Sequence, residues 1–167
     1  MKDWMLQRRQ TSPQPPSVGK RYLFLSPEWV HEVAAAVQAA HKVDRYFRDL
    51  ASAFTMRFAC RIQGVPPELQ EMYGAVDVVV VVHLRKGSVQ AVDVRGEVPE
   101  ENLDLVVTSD YRIAKRIASG KASTAASFLS GKVRVQPRKG RQRPLELAKS
   151  LVTASEVVKI ARQVPTA

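Results

Sequence analysis

The side chains able to do chemistry are few and scattered in this 167-residue chain. His31, His41 and His83 stand at no metal-ligand spacing from one another or from Cys60, so a zinc site would have to be assembled from distant parts of the fold. The pairs Gly120-Lys121 and Gly131-Lys132 lack the leading glycines of a phosphate-binding loop, and Ala122 and Val133 follow where that loop needs a hydroxyl. No Gly-X-Ser-X-Gly elbow is present to raise a serine nucleophile. Glu68, Glu71, Glu97, Glu100 and Glu101 fall in expected loops, where a carboxylate is normally solvated. The chain therefore reads as a non-enzyme that needs no metal and no cofactor.

The conspicuous constellation is cationic. Of the chain's net charge of +10, most comes from one quarter: Arg112, Lys115, Arg116, Lys121, Lys132, Arg134, Arg138, Lys139, Arg141, Arg143 and Lys149 are opposed there only by Asp110 and Glu146. Such a stretch is either an ordinary solvated face or a surface for anions: an anionic membrane, the phosphates of an acyl-coenzyme A head group, or nucleic acid. Against nucleic acid, the run Arg138 to Arg143 has no interleaved aromatic side chain for base stacking, and no helix-turn-helix or RNA-binding signature occurs.

The elements that must carry these residues follow from periodicity. Residues 1–22 hold Pro13, Pro15 and Pro16 among polar residues with little period, and read as a flexible or loosely docked arm; 23–167 would be one domain. Ser26 as cap, Pro27 at the first helical position and Glu28 at the positive end of the dipole start a helix over 27–40, with Trp29, Val33 and Val37 on one face. A short helix follows over 44–51. From Phe54 the period drops to two: Phe54, Met56, Phe58, Cys60 and Ile62 alternate with wetter residues until Pro66 and Pro67 end the strand. Strands are expected over 75–84 and 89–94, joined by a turn at Lys86-Gly87-Ser88, and over 103–108 after a polar loop. Ser109 would cap a helix stopped by Gly120, a short helix would span 123–130, and a fifth strand 132–136. Pro144 opens a further helix, and Thr153-Ala154-Ser155-Glu156 matches a capping box for a last one. Three meandering strands, a fourth strand and a fifth among helices describe an α+β layer fold.

Apolar residues make up 45% of the chain, enough for a core without disulfides or metals. A lone cysteine forms no intrachain bridge, the first residues have no signal-length apolar core, and the longest apolar run, Val78 to Val82, is too short to span a bilayer. A cytoplasmic, soluble protein is the expectation.

Asp104-Leu105-Val106-Val107-Thr108, the helix closing in Gly120-Lys121, then Phe128-Leu129-Ser130-Gly131-Lys132-Val133-Arg134-Val135 and a Leu-rich terminal helix resemble the sterol carrier protein type 2 family of lipid-binding domains. The resemblance implies a five-stranded, mostly antiparallel sheet covered on one face by helices, with an apolar tunnel between the layers. It implies non-covalent binding, transfer or sequestration of a fatty acid, an acyl-coenzyme A or a sterol-like lipid. The lining it implies is Phe54, Met56, Phe58, Val78, Val80, Val82, Leu105, Val107, Ile113, Ile117, Phe128, Leu129, Leu147, Leu151, Val157 and Ile160, with Arg138, Lys139, Arg141 and Arg143 against an anionic head group or membrane. One departure is visible: where the family has Gly-Asp after the fifth strand, this chain runs Gln136-Pro137-Arg138-Lys139-Gly140-Arg141-Gln142-Arg143. From the residues alone, the row Phe54, Met56 and Phe58 suits either a mouldable site or a close-packed core. Energy sets no demand for an ionic anchor: at about 0.8 kcal/mol per buried methylene, a chain of roughly sixteen carbons offers on the order of 12 kcal/mol gross. Micromolar binding takes only about 8 kcal/mol.

Overall fold

The computed structural model describes residues 19–53, 55–99, 102–138 and 144–167, and for 144–147, 149 and 150 the backbone alone. The order is α1 (Pro27–Val43), α2 (Arg45–Ala51), β1 (Met56–Gln63), α3 (Pro67–Tyr73), β2 (Val78–Arg85), β3 (Ser88–Arg95), β4 (Leu105–Asp110), α4 (Tyr111–Ala118), α5 (Thr124–Leu129), β5 (Val133–Pro137) and α6 (Pro144–Ala161). The strands form one five-stranded sheet in the order β3-β2-β1-β4-β5. All neighbours pair antiparallel except β1 and β4, which are parallel.

The helix starts follow local chemistry. Ser26 Oγ accepts from Trp29 N at 3.2 Å and Pro27 sits where no amide donor is needed. Nothing breaks α1 at residue 40, so it continues to Val43; Asp44 then turns extended and accepts from Phe47 N at 3.0 Å to start α2. Helix α3 replaces an expected loop and carries Glu68 and Glu71. Its signals were Pro67 in the first turn and Gly74 at the end, where φ is +67°. The cap of α4 is Asp110, not Ser109: β4 extends two residues further than expected, Ser109 pairs within the sheet, and Asp110 Oδ1 accepts from Ile113 N at 2.8 Å. The two expected terminal helices are one. No glycine or proline interrupts 145–161, so Thr153 lies buried inside α6 and the capping-box pattern caps nothing.

Strand register gives the sheet two faces. On the inner face, Phe58, Cys60 and Ile62 lie beside Val82, Val80 and Val78 of β2 and beside Leu105, Val107 and Ser109 of β4. Helices cover this face: Trp29 of α1 and Ala118 of α4 pack with Ile62 and Val78, and Ile113 and Ile117 of α4 pack with Val133. The connection from β3 to β4 returns across the outer face, where Val98 and Leu103 settle on Ala59, Val79, Val81 and Val106. Leu103, expected in the fourth strand, thus belongs to this cover. Asp104 fastens the start of β4: its Oδ2 accepts from Arg57 N at 2.8 Å, its own N–H donates to Arg57 O, and its carbonyl accepts from Arg138 N.

The β2-β3 hairpin turns on Lys86 and Gly87, with φ of +48° and +76°, the left-handed pair that matches strand twist. A Cβ on Gly87 would also lie 2.5 Å from Ala51 Cβ, so this turn locks onto the end of α2. Gly87→Ala should therefore cost more than about 2 kcal/mol, whereas Gly74→Ala, left-handed but with open space around it, should cost about 1 kcal/mol. Urea midpoints of the two variants check the order.

Candidate functional site

Burial on the two sheet faces is the reverse of what their covers suggest. On the outer face, under a single stretch of loop, Ala59 and Val79 are 0% exposed, Val106 2% and Val81 4%. On the inner face, beneath the helices, Met56, Phe58, Cys60, Val80, Val82, Val107 and Val135 all keep accessible surface. Large apolar side chains at the middle of a close-packed layer would be the least accessible in the molecule. The helices therefore cover the centre of this face less completely than its margins.

They close down at its margins. At one end Phe24, Leu25 and Trp29 cover Ile62 and Val78, with Val164 added from the C-terminal segment. The Phe24 and Trp29 rings meet in a T-shaped contact with centroids 4.8 Å apart, and Trp29 Nε1 donates to Thr166 Oγ1 at 3.0 Å. Elsewhere Val37, Phe47, Ala51 and Ile160 join α1, α2 and α6, while α4 seals the β5 side through Ile113, Ile117 and Val133.

The residues expected to line a tunnel are distributed unevenly over this arrangement. Met56, Phe58, Val80, Val82 and Val107 share the half-buried centre. Val78 and Leu105 point the same way but are buried, and Ile113, Ile117 and Ile160 belong to the marginal clusters. Phe128, Leu151 and Val157 are half-buried. Leu129 is not inside: it is 83% exposed, because α5 turns Ser127 inward instead. Leu147 lies on α6 with its side chain outside the described residues, as does Phe54 altogether. Cys60, Val92, Val94 and Val135 occupy the same inner face and were not among the expected lining; the period-two count that placed Val80 reaches all four.

Along the edge of the sheet, α1 and β3 leave a groove of about 490 Å³. Val30, Ala34 and Ala35 form its helical wall and Val89, Val92 and Val94 its strand wall. Gln38 closes one end by donating from Nε2 to Val89 O at 2.7 Å. Tyr73 stands at the other, its hydroxyl donating to Leu25 O at 2.7 Å.

Reactive groups are muted. Burial pushes the Cys60 thiol up to about 12, so its nucleophilic thiolate is scarce near neutral pH. Cys60 nevertheless retains accessible surface. Both hold together when the surface it shows faces an interior space rather than bulk water. Among the described residues no three His, Cys, Asp or Glu side chains converge as metal ligands, and no helix is long and apolar enough to cross a membrane.

Of the four cations expected at a head group, Arg138 is exposed just past β5, and Lys139, Arg141 and Arg143 lie outside the described residues. Arg112, Arg116, Lys121, Lys132 and Arg134 are exposed. Part of this charge has a local structural use. Arg162 donates from Nε to Ile117 O at 3.1 Å and from Nη2 to Ala122 O at 3.0 Å, and Arg116 reaches Lys121 O, which satisfies carbonyls at and beyond the negative end of α4.

No family model matches the sequence, and no curated protein matches it. Solved structures do. A conserved hypothetical protein of Thermus thermophilus, suggested to be a sterol carrier protein, superposes with a TM-score of 0.65 at 19% identity over 89% of this chain and 95% of its own. A crystal structure of sterol carrier protein 2 gives 0.64 at 19% identity over 83% of this chain and 97% of that one. The sterol carrier protein domain 2 of Helicoverpa armigera gives 0.50 at 16% identity over 87% and 96%. At these identities the likeness is one of architecture, and it extends over nearly the whole of each relative: the chain has the sterol carrier protein type 2 fold.

Proposed function

We propose that this protein binds an apolar lipid, a fatty acid, fatty acyl ester or sterol-like molecule, without covalent chemistry, in a tunnel between the inner face of the sheet and its helices. The observation that carries the reading is the inverted burial at the centre of the sheet: the inner-face residues Phe58, Cys60, Val80, Val82 and Val107 keep accessible surface while Ala59, Val79, Val81 and Val106 on the outer face are buried. Apolar side chains left partly accessible forgo some of the dispersion contacts that full burial would give. A bound hydrocarbon would restore them. The solved sterol carrier structures of like fold support the same reading.

The proposed lining is Met56, Phe58, Val80, Val82 and Val107 from the sheet, with Phe128, Leu151 and Val157 from the helices and Cys60, Val92, Val94 and Val135 added. Of the expected arm 1–22, residues 1–18 lie outside the described residues, and Tyr22 is tied into the domain by its N–H donating to Pro165 O at 2.9 Å. Arg138 with its cationic neighbours in sequence would meet an anionic head group or membrane surface. Nucleic acid is the competing partner for the same charge; it predicts steeply salt-dependent binding to DNA or RNA that the apolar centre would not influence.

Displacement of a fluorescent fatty acid from the full chain should report micromolar affinity. Val80→Trp, which fills the centre, should weaken it by about tenfold or more while leaving the melting temperature unchanged or higher. A saturable fluorescence signal that no unlabelled fatty acid displaces would remove the proposal.

Cys60 supplies a second readout. A thiol held near 12 should react with methyl methanethiosulfonate at a rate that keeps rising about tenfold per pH unit past the ordinary plateau near 9, provided the fold persists. Saturating lipid should slow the reaction at every pH. The linkage sign is equally definite. Above pH 9 the unfolded chain loses this proton and the folded chain keeps it, so stability falls by up to about 1.4 kcal/mol per pH unit as pH rises toward 12. Urea titrations of the wild type and Cys60→Ala should diverge over that window.

A further inference from the structure

We infer that the groove between α1 and β3 is the mouth through which the apolar ligand passes to and from the inner face, an inference that rests on the lipid-binding reading above. Three observations place the mouth there. Val92 and Val94, in the groove wall, are the cross-strand partners of Val82 and Val80, so the groove floor and the half-buried centre form one continuous apolar row. The helix wall is built of small residues at its middle, Ala34 and Ala35, where larger side chains would close α1 onto the strand. None of the residues lining the groove is a lysine, arginine, aspartate or glutamate, so an alkyl chain crosses it without stripping water from a fixed charge.

The polar ties holding α1 to this edge sit at an end of the groove and leave its middle free. Gln38 donates to Val89 O, and Ser88 Oγ donates to Gln38 Oε1 at 3.4 Å. Gln38 is thus a latch, and the alanine pair is the opening it borders. The volume of about 490 Å³ lies in the range of ordinary small-molecule sites, wide enough to admit a flexible chain lengthwise.

The mouth controls rates, not the depth of the bound state, and this separates it from the proposed lining. In stopped-flow mixing of cis-parinaric acid with the full chain, Ala34→Trp should lower the association and dissociation rate constants together by about tenfold, with Kd changed by less than about threefold. Gln38→Ala should raise both rate constants, and Asn102→Ala, at an exposed position in the crossover on the outer face, should leave both near wild type. A folded Ala34→Trp protein with wild-type rates would overturn the inference, and so would lost affinity with an unchanged association rate, which would make the groove a resting place. Should Ala34→Trp fail to fold, Gln38→Ala decides alone, and unchanged rates in it overturn the mouth. Absence of cis-parinaric acid binding in the wild type overturns the lipid reading itself and the mouth with it, a result distinct from binding that is merely indifferent to the groove.

Discussion

A sheet whose central strands β2 and β4 carry apolar side chains on both sides must cover two faces, and this chain covers them by different means. The outer face receives a short crossover whose Val98 and Leu103 fit down onto alanine and valines. The inner face receives rigid rods. Helices meet a twisted sheet where their side chains are long enough, as Trp29 is against Ile62 and Val78, while Ala34 and Ala35 in the middle of α1 line the groove beside β3. The accessible surface left on Cys60, Val80 and Val107 goes with this looser cover of the centre. Everything proposed about function descends from it.

The rest of the structure fixes the sheet and its helices relative to one another. Asp104 ties the beginnings of β1 and β4 to the residue after the end of β5 with its carboxylate and backbone, fixing the register on the parallel side of the sheet. Asp77 does the same between β1 and β2: its carboxylate accepts from the guanidinium of Arg61 at 2.7 Å and from Gly64 N at 3.2 Å. The hairpin at Gly87 abuts Ala51 so closely that α2 cannot slide along the edge of the sheet. At the opposite end Tyr22 pairs with Thr166, and the two chain segments flanking the helices are clasped by Tyr22 N–H to Pro165 O at 2.9 Å. Movement of the helices against the sheet would have to break several of these ties at once.

Charge plays two parts in this scheme. Near the C-terminal end of α4, Arg116 and Arg162 answer carbonyls, which accounts for some of the cationic excess as helix termination. The exposed cations along β5 have no such duty in the contacts described, and they lie on the strand at the far edge from the α1-β3 groove. In the scheme proposed, the route for the hydrocarbon is uncharged and the attraction for anions sits elsewhere. A ligand with a long tail and an anionic head would suit that separation.

Much of the architecture was legible in the sequence because it is local. Period-two alternation at Met56 to Ile62 identified the inner face, Ser26-Pro27 started α1, and the Leu105 to Val135 pattern pointed to the fold. The boundaries that failed were those set by partners distant in sequence. Ser109 lost its capping role because β4 found pairing on both sides. Thr153 became a helix interior because no residue stopped α6, and Leu129 faced outward once α5 had turned Ser127 to the core. The sequence by itself determined which side chains share a face, since alternation and helical period are properties of the backbone. Whether the inner face is packed or hollow was decided by tertiary structure alone, because it depends on how far helices stand from a twisted sheet, a distance that no run of residues encodes locally.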